Sequence, residues 1–232
     1  MVQTSPRALP ALYRSTIGKK AIMAVTGALM ILFLVVHMVG NLKAFYGPAE
    51  IDEYAAWLRR IGAPALHYEW FLWIQRVGLL VVIGLHMLMA FQLTRRAKRA
   101  RPTRYRHRPK VQGSYAARTM RWGGVIIVLF VIYHILDLTT GTVHPDYRDG
   151  EVYNNLVNDF APERWYVTLF YALAVIAVGF HVRHGLTSAV QSLGIKSPQR
   201  ARTLNLAATA FSVLLVAGYL SVPFAVTVGL VD

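Results

Sequence analysis

Five uninterrupted apolar runs dictate what this chain can fold into. They cover about 21–42, 69–94, 122–140, 164–191 and 204–231. Each offers roughly 20 residues or more, enough to cross a hydrocarbon layer ~30 Å thick as an α-helix. In lipid every backbone N–H and C=O must be satisfied within the protein, and runs this long do so as helices. The apolar residues are gathered in blocks instead of one-sided stripes. Only 16% of the 232 residues are charged, where a soluble domain carries about 25%. The expected fold is all-α, a single transmembrane domain with five transmembrane helices behind a polar lead-in at 1–20. The lead-in runs into a full-length span without a small-residue cleavage site, so it does not read as a signal peptide. Pro223 is placed to bend the last helix.

The connections divide by charge. Residues 1–20 hold four Lys/Arg, 95–121 hold eleven and 192–203 hold three, with no Asp or Glu among them. The other two connections, 43–68 and 141–163, hold four Lys/Arg between them and most of the acids. Basic loops stay on the cytoplasmic side. The expected topology therefore has the N-terminus inside and the C-terminus outside, in the cytoplasmic membrane of a prokaryote. The net charge of +14 is accounted for by this orientation, and no nucleic-acid role is expected. In the first outer connection, residues 51–61 set acids against Tyr54, Trp57 and Leu58 at helical spacing. That pattern reads either as a short interfacial helix or as an amphipathic connector.

Four of the runs carry an imidazole: His37, His86, His134 and His181. An ionisable group at membrane depth marks a functional site by default. A rise of ~1.5 Å per residue puts His37 about 24 Å and His134 about 18 Å from the inner surface. The same rise puts His86 about 12 Å and His181 about 15 Å deep. The four thus form an outer level and an inner level, as two bis-histidine haems stacked in a four-helix bundle require. The chain has no cysteine, so iron–sulfur ligation by this chain and covalent haem attachment are excluded. Gly185 and Ala90, each one turn past an inner histidine, leave room for a flat macrocycle. Arg183 and Arg76 are cations in otherwise apolar spans and suit haem propionates. His184 shares the fourth span and is an alternative ligand to His181, or a support for a propionate or quinone. His67, His144 and His107 are expected in water. Among acids near the outer level, Asp137, Glu69 and Glu163 could exchange protons. Asp137, one turn past His134, and Glu69 are the candidate proton handles.

Residues Ser15-Thr16-Ile17-Gly18-Lys19-Lys20-Ala21-Ile22-Met23-Ala24-Val25-Thr26-Gly27 resemble the first-helix entry of the cytochrome b anchor of succinate dehydrogenases and fumarate reductases. The pattern continues at His37-Met38-Val39-Gly40-Asn41, Leu85-His86, Tyr133-His134, and His181 followed by Gly185-Leu186 and Gly194. The resemblance is to the single-chain, five-helix, two-haem branch and covers nearly the whole chain. It implies two haem b groups, the distal one on His37 and His134 and the proximal one on His86 and His181. The family pattern selects the histidine four residues before a glycine, which is His181 and not His184. Arg183, His184, Arg76 and Asn41 would then be partners of propionates or of the ligands.

By the same resemblance the chain would sit beneath an iron–sulfur subunit and a flavoprotein subunit, which carry the clusters and FAD. Electrons would pass between them and membrane quinone, usually menaquinone, in the tricarboxylic acid cycle and respiratory chain. The alternatives are the haem b subunit of a hydrogenase or formate dehydrogenase, and a non-redox membrane anchor. Among other membrane cytochromes b, the bc-type usually place two histidines, well separated, on each of two helices. Here one principal histidine stands on each of four.

Overall fold

The computed structural model describes residues 13–100, 115–192 and 198–232. His107, Gly194, residues 1–12 and most of the basic connection at 95–121 lie outside these. Among the described residues the chain is helical, with no strand: α1 Thr16–Asn41, a 3-10 turn Leu42–Tyr46, α2 Pro48–Arg60, α3 Trp70–Arg99, α4 Tyr115–Leu138, α5 Val152–Asp159, a 3-10 turn Pro162–Arg164, α6 Trp165–Ser192 and α7 Pro198–Thr227. Among the described residues five stretches are long and apolar enough to cross a membrane: Thr16–Tyr46, Trp70–Arg99, Met120–Leu138, Pro162–Gln191 and Gln199–Thr227. Leu29, Leu32, Leu80, Leu129, Leu173 and Leu214, one or more from each span, are exposed, as faces turned to lipid must be.

Local chemistry sets the helix ends. Ser15, in an extended conformation, caps α1 by accepting a hydrogen bond from Gly18 N at 2.8 Å, satisfying one of the orphan donors. The helix therefore begins five residues before the polar lead-in ends. Gly47, at φ 95°, turns the chain into α2, which carries Pro48 at its start, Glu50 in its first turn and Arg59 and Arg60 in its last. That order suits both the helix geometry and its dipole. Helix α2 spans the segment read as an interfacial helix or connector. Helix α7 continues through Pro223 to Thr227, and the chain then folds back, with Leu230 N donating to Ala225 O at 2.8 Å.

Helix α1 packs on α3, α4 on α6, and α6 on α7, which also reaches α1. The α6–α7 approach is close at Gly179, where an added Cβ would meet Val216 Cγ2 at 2.5 Å. Tyr219 of α7 donates to Leu34 O of α1 at 2.7 Å.

The main apolar core lies at the end of the bundle that carries the acidic connections. There Ile51 of α2 and Tyr153, Leu156 and Phe160 of α5 pack with Val167 and Tyr171 of α6 and Val222 and Val226 of α7. Helices α2 and α5 thus form a cap over this end. Asp52 of α2 accepts from Tyr153 N at 3.0 Å, so an acid on one cap helix caps the other. Helix α5 was not expected. Its Val152, Tyr153, Leu156 and Val157, with Phe160, form one apolar face, but the stretch is too short to stand out beside spans of thirty residues.

Candidate functional site

The four intramembrane histidines meet in two pairs. His37 of α1 and His134 of α4 lie with ring centroids 5.9 Å apart. His86 of α3 and His181 of α6 lie 6.3 Å apart. Each pair thus joins two helices, and the pairs sit at different depths. Two imidazoles on opposite sides of one metal ion, with ~2 Å bonds to nitrogen, have ring centres ~6 Å apart. The residues present therefore fit two bis-imidazole iron sites.

The groups around the rings support this. His86 Nδ1 lies 3.1 Å from Met23 O and 3.1 Å from Thr26 Oγ1. A carbonyl can only accept, so Nδ1 carries the proton and Nε2 keeps its lone pair, the arrangement seen in metal-binding histidines. Gly27 and Gly124 lie beside this level: added Cβ atoms there would come 3.5 Å from His86 Cε1 and 4.0 Å from His181 Cε1. An added Cβ at Gly185 would meet nothing within 4 Å. His181 Nδ1 is buried without a hydrogen-bond partner among the described residues. At the outer level His37 stacks on Phe33 at 5.3 Å and lies 6.1 Å from the Tyr219 ring. His134 Nδ1 is 3.4 Å from Tyr171 OH, which donates to Asp137 Oδ2 at 2.8 Å.

The remaining sequence-marked residues divide. The ring contact to His86 is made by His181; His184, one turn on, uses its carbonyl to accept from Thr187 Oγ1 at 3.0 Å. Arg183 is not an isolated cation, since its Nε donates to Thr209 Oγ1 at 2.7 Å. Arg76 lies over the Trp73 ring at 5.0 Å. Asn41 closes α1 at the acidic end. Glu69 stands at the rim with φ 65° and pairs with Arg59 Nε at 3.2 Å. Asp137 is 0% exposed, so it is no ordinary interfacial carboxylate.

His144, expected in water, is buried at 4% exposure. The cap accounts for this: α5 and the segment before it close over the end of α4 and enclose the ring with Asp137 and Asp159. His144 Nδ1 lies 3.9 Å from an oxygen of each carboxylate, and Arg164 Nη2 lies 2.8 Å from Asp159 Oδ1. Burial holds the His144 imidazole below its ordinary pKa, against the pull of Asp137. Burial, and then the charge of Asp137 beside it, push Asp159 up to about 7, with Arg164 opposing.

Asp159, Tyr171 and Arg164 were not marked by the sequence. The available signal was Asp159 itself, an acid one residue before Phe160 in a helix with an apolar face.

Residues 92–219 match the family model described as succinate dehydrogenase/fumarate reductase transmembrane subunit. No curated protein and no solved structure matches the chain.

Proposed function

The chain belongs to the succinate dehydrogenase/fumarate reductase transmembrane subunit family, and on that premise we propose that it is the single-chain, two-haem cytochrome b anchor of such a complex. The observation that carries the reading is the meeting of four intramembrane imidazoles from four helices in two pairs at two depths. His37 and His134 would hold the distal haem, and His86 and His181 the proximal one. Bound there, haem b supplies one-electron redox chemistry. Held by two imidazoles each, such haems would serve electron transfer and not oxygen chemistry.

The protein's part is to hold and orient. Met23 O and Thr26 fix the His86 ring, so that its Nε2 faces inward. Tyr171, held by Asp137, fixes the His134 ring from the other side of the bundle. Arg183, two residues past His181 on α6 and held by Thr209, would be the cation offered to a propionate.

A quinone that is reduced or oxidised must also exchange protons. Of the two candidate acids, Glu69 stands at the rim and serves this exchange. Asp137, sealed from water, positions Tyr171. The basic end of the bundle faces the cytoplasm by its charge and docks the iron–sulfur subunit, with the flavoprotein beyond it. Electrons then pass between succinate or fumarate chemistry outside this chain and membrane quinone, menaquinone in this branch.

The test is a pyridine haemochrome ratio on the purified complex, with reduced-minus-oxidised spectra. Two haems b per chain are expected. His86→Ala and His181→Ala should lose the same haem, and His37→Ala and His134→Ala the other. An absence of haem from the intact complex would overturn the reading, as would loss of one and the same haem from variants at both levels.

A further inference from the structure

We infer that Asp137, His144 and Asp159 form a binding site for one divalent transition-metal cation, zinc foremost, at the acidic end of the bundle. The three residues come from the end of α4, the irregular segment after it, and the end of α5. All three side chains are fully buried. Each offers a donor atom, and these atoms lie within 4.8 Å of one another.

No hydrogen bond accounts for the place of His144 in this cluster. At 3.9 Å from both carboxylates, His144 Nδ1 is beyond the ~3.2 Å limit of an N–H···O bond. Neither ring nitrogen of His144 has a hydrogen-bond partner among the described residues, and Asp137 Oδ1 and both oxygens of Asp159 meet no N–H or O–H donor there, the two carboxyls facing each other. Asp159 Oδ1 meets Arg164 as an ion pair only. Buried polar atoms without partners are rare, and here they converge on one point. A tetrahedral zinc ion with bonds of about 2.0–2.1 Å sets its ligand atoms ~3.4 Å apart. The two His144–carboxylate separations of 3.9 Å close to that by a few tenths of an ångström at each side chain, within a donor set that spans up to 4.8 Å.

The surroundings have the form of a metal site's outer layer, in which ligating carboxylates are themselves hydrogen-bonded or paired. Tyr171 OH holds Asp137 Oδ2, and Arg164 holds Asp159. Two buried carboxyls beside one arginine are costly to ionise, and a divalent cation would supply the counter-charge. One imidazole with two carboxylates favours zinc over calcium or magnesium, which take all-oxygen sets. The ion would bind the segment bearing His144 to the membrane helix, closing the cap. The site does not depend on haem.

The experiment is metal analysis by mass spectrometry on the whole complex, extracted with chelator and then reloaded with Zn2+ and gel-filtered. It compares wild type with Asp159→Asn and His144→Gln. The wild type is expected to retain one zinc ion per chain, and each variant to retain at least about tenfold less. X-ray absorption of the bound zinc should show nitrogen and oxygen neighbours without sulfur. Haem content of the same samples reports separately on the electron-transfer reading. Should a variant fail to assemble, the wild type decides: extraction should lower the thermal stability of the complex, and Zn2+ alone should restore it. A wild type that takes up no zinc, or variants that retain as much as wild type, overturns the site.

Discussion

Tyr171→Phe isolates one hydroxyl at the junction of both sites. The ring is 5% exposed and packs edge-to-face on Phe130 at 5.1 Å and Phe160 at 5.0 Å. Phenylalanine keeps those contacts. What goes is the bond from the hydroxyl to Asp137 Oδ2, 2.8 Å long and buried. Asp137 would then have no hydrogen-bond partner on either oxygen among the described residues. Interhelical hydrogen bonds in membrane proteins average only ~0.6 kcal/mol. A bond to a charged group, lost so that a buried acceptor is stranded, costs about 1.5–3 kcal/mol. The second case applies, because no water-facing route exists for a carboxyl with 0% exposure. For a chain of this size ~2 kcal/mol lowers the thermal midpoint by about 4–8 °C. The assay is thermal unfolding of the purified complex in detergent, followed by absorbance and by retention of the chain in solution. Tyr133→Phe is the control, since its ring joins the same cluster and its hydroxyl has no hydrogen-bond partner among the described residues. Equal midpoints for the two variants would refute the reasoning, leaving Tyr171 as packing alone.

Other substitutions test separate links. Gly179→Ala drives a Cβ against Val216, and overpacking of this kind should cost about 1–3 kcal/mol, read as a lower thermal midpoint. Gly185→Leu, where an added Cβ meets nothing within 4 Å, should leave the helices associated but deplete the proximal haem, halving the haemochrome signal. Arg59→Leu breaks a partly exposed pair with Glu69 and should change stability by under about 1 kcal/mol; a larger drop would mean that the rim is structural. Because the chain has no cysteine, single cysteines at Arg148 and Arg99 report topology. An impermeant maleimide on intact cells should label the first and spare the second, and the reverse pattern would invert the orientation.

The spans were legible because lipid allows few alternatives: a long apolar run without charge must be helical. The histidines stood out for the same reason, since an imidazole in such a run is conspicuous, and counting residues along each helix gives depth. The acidic end was not legible in this way. His144 lies in a polar connection, and nothing local marks it as buried. Its burial comes with the folding of its own segment against Asp137 of α4, Asp159 of α5 and Tyr147. Asp137 was visible as an acid near the membrane surface, but its sealing depends on the same packing. Arg183 was read as a lone cation because Thr209, its partner, lies on a different helix twenty-six residues away. Hydropathy carries information about the solvent of a segment; contacts between connections are set by tertiary packing.

Rings wall the outer histidine level. Phe130 and Tyr171 flank His134 at 5.9 and 6.0 Å, with Phe160, Phe170 and Tyr133 behind them. The inner level is bordered instead by Thr26, the Met23 carbonyl and two glycines. Solvent access and local dielectric around a metal tune its redox potential. If each level holds a haem, an added electron at the outer one would meet polarisable rings, and at the inner one fixed hydroxyl and peptide dipoles. On the two-haem reading, identical imidazole pairs would therefore stand in unlike media, and the residues around them would separate the two potentials.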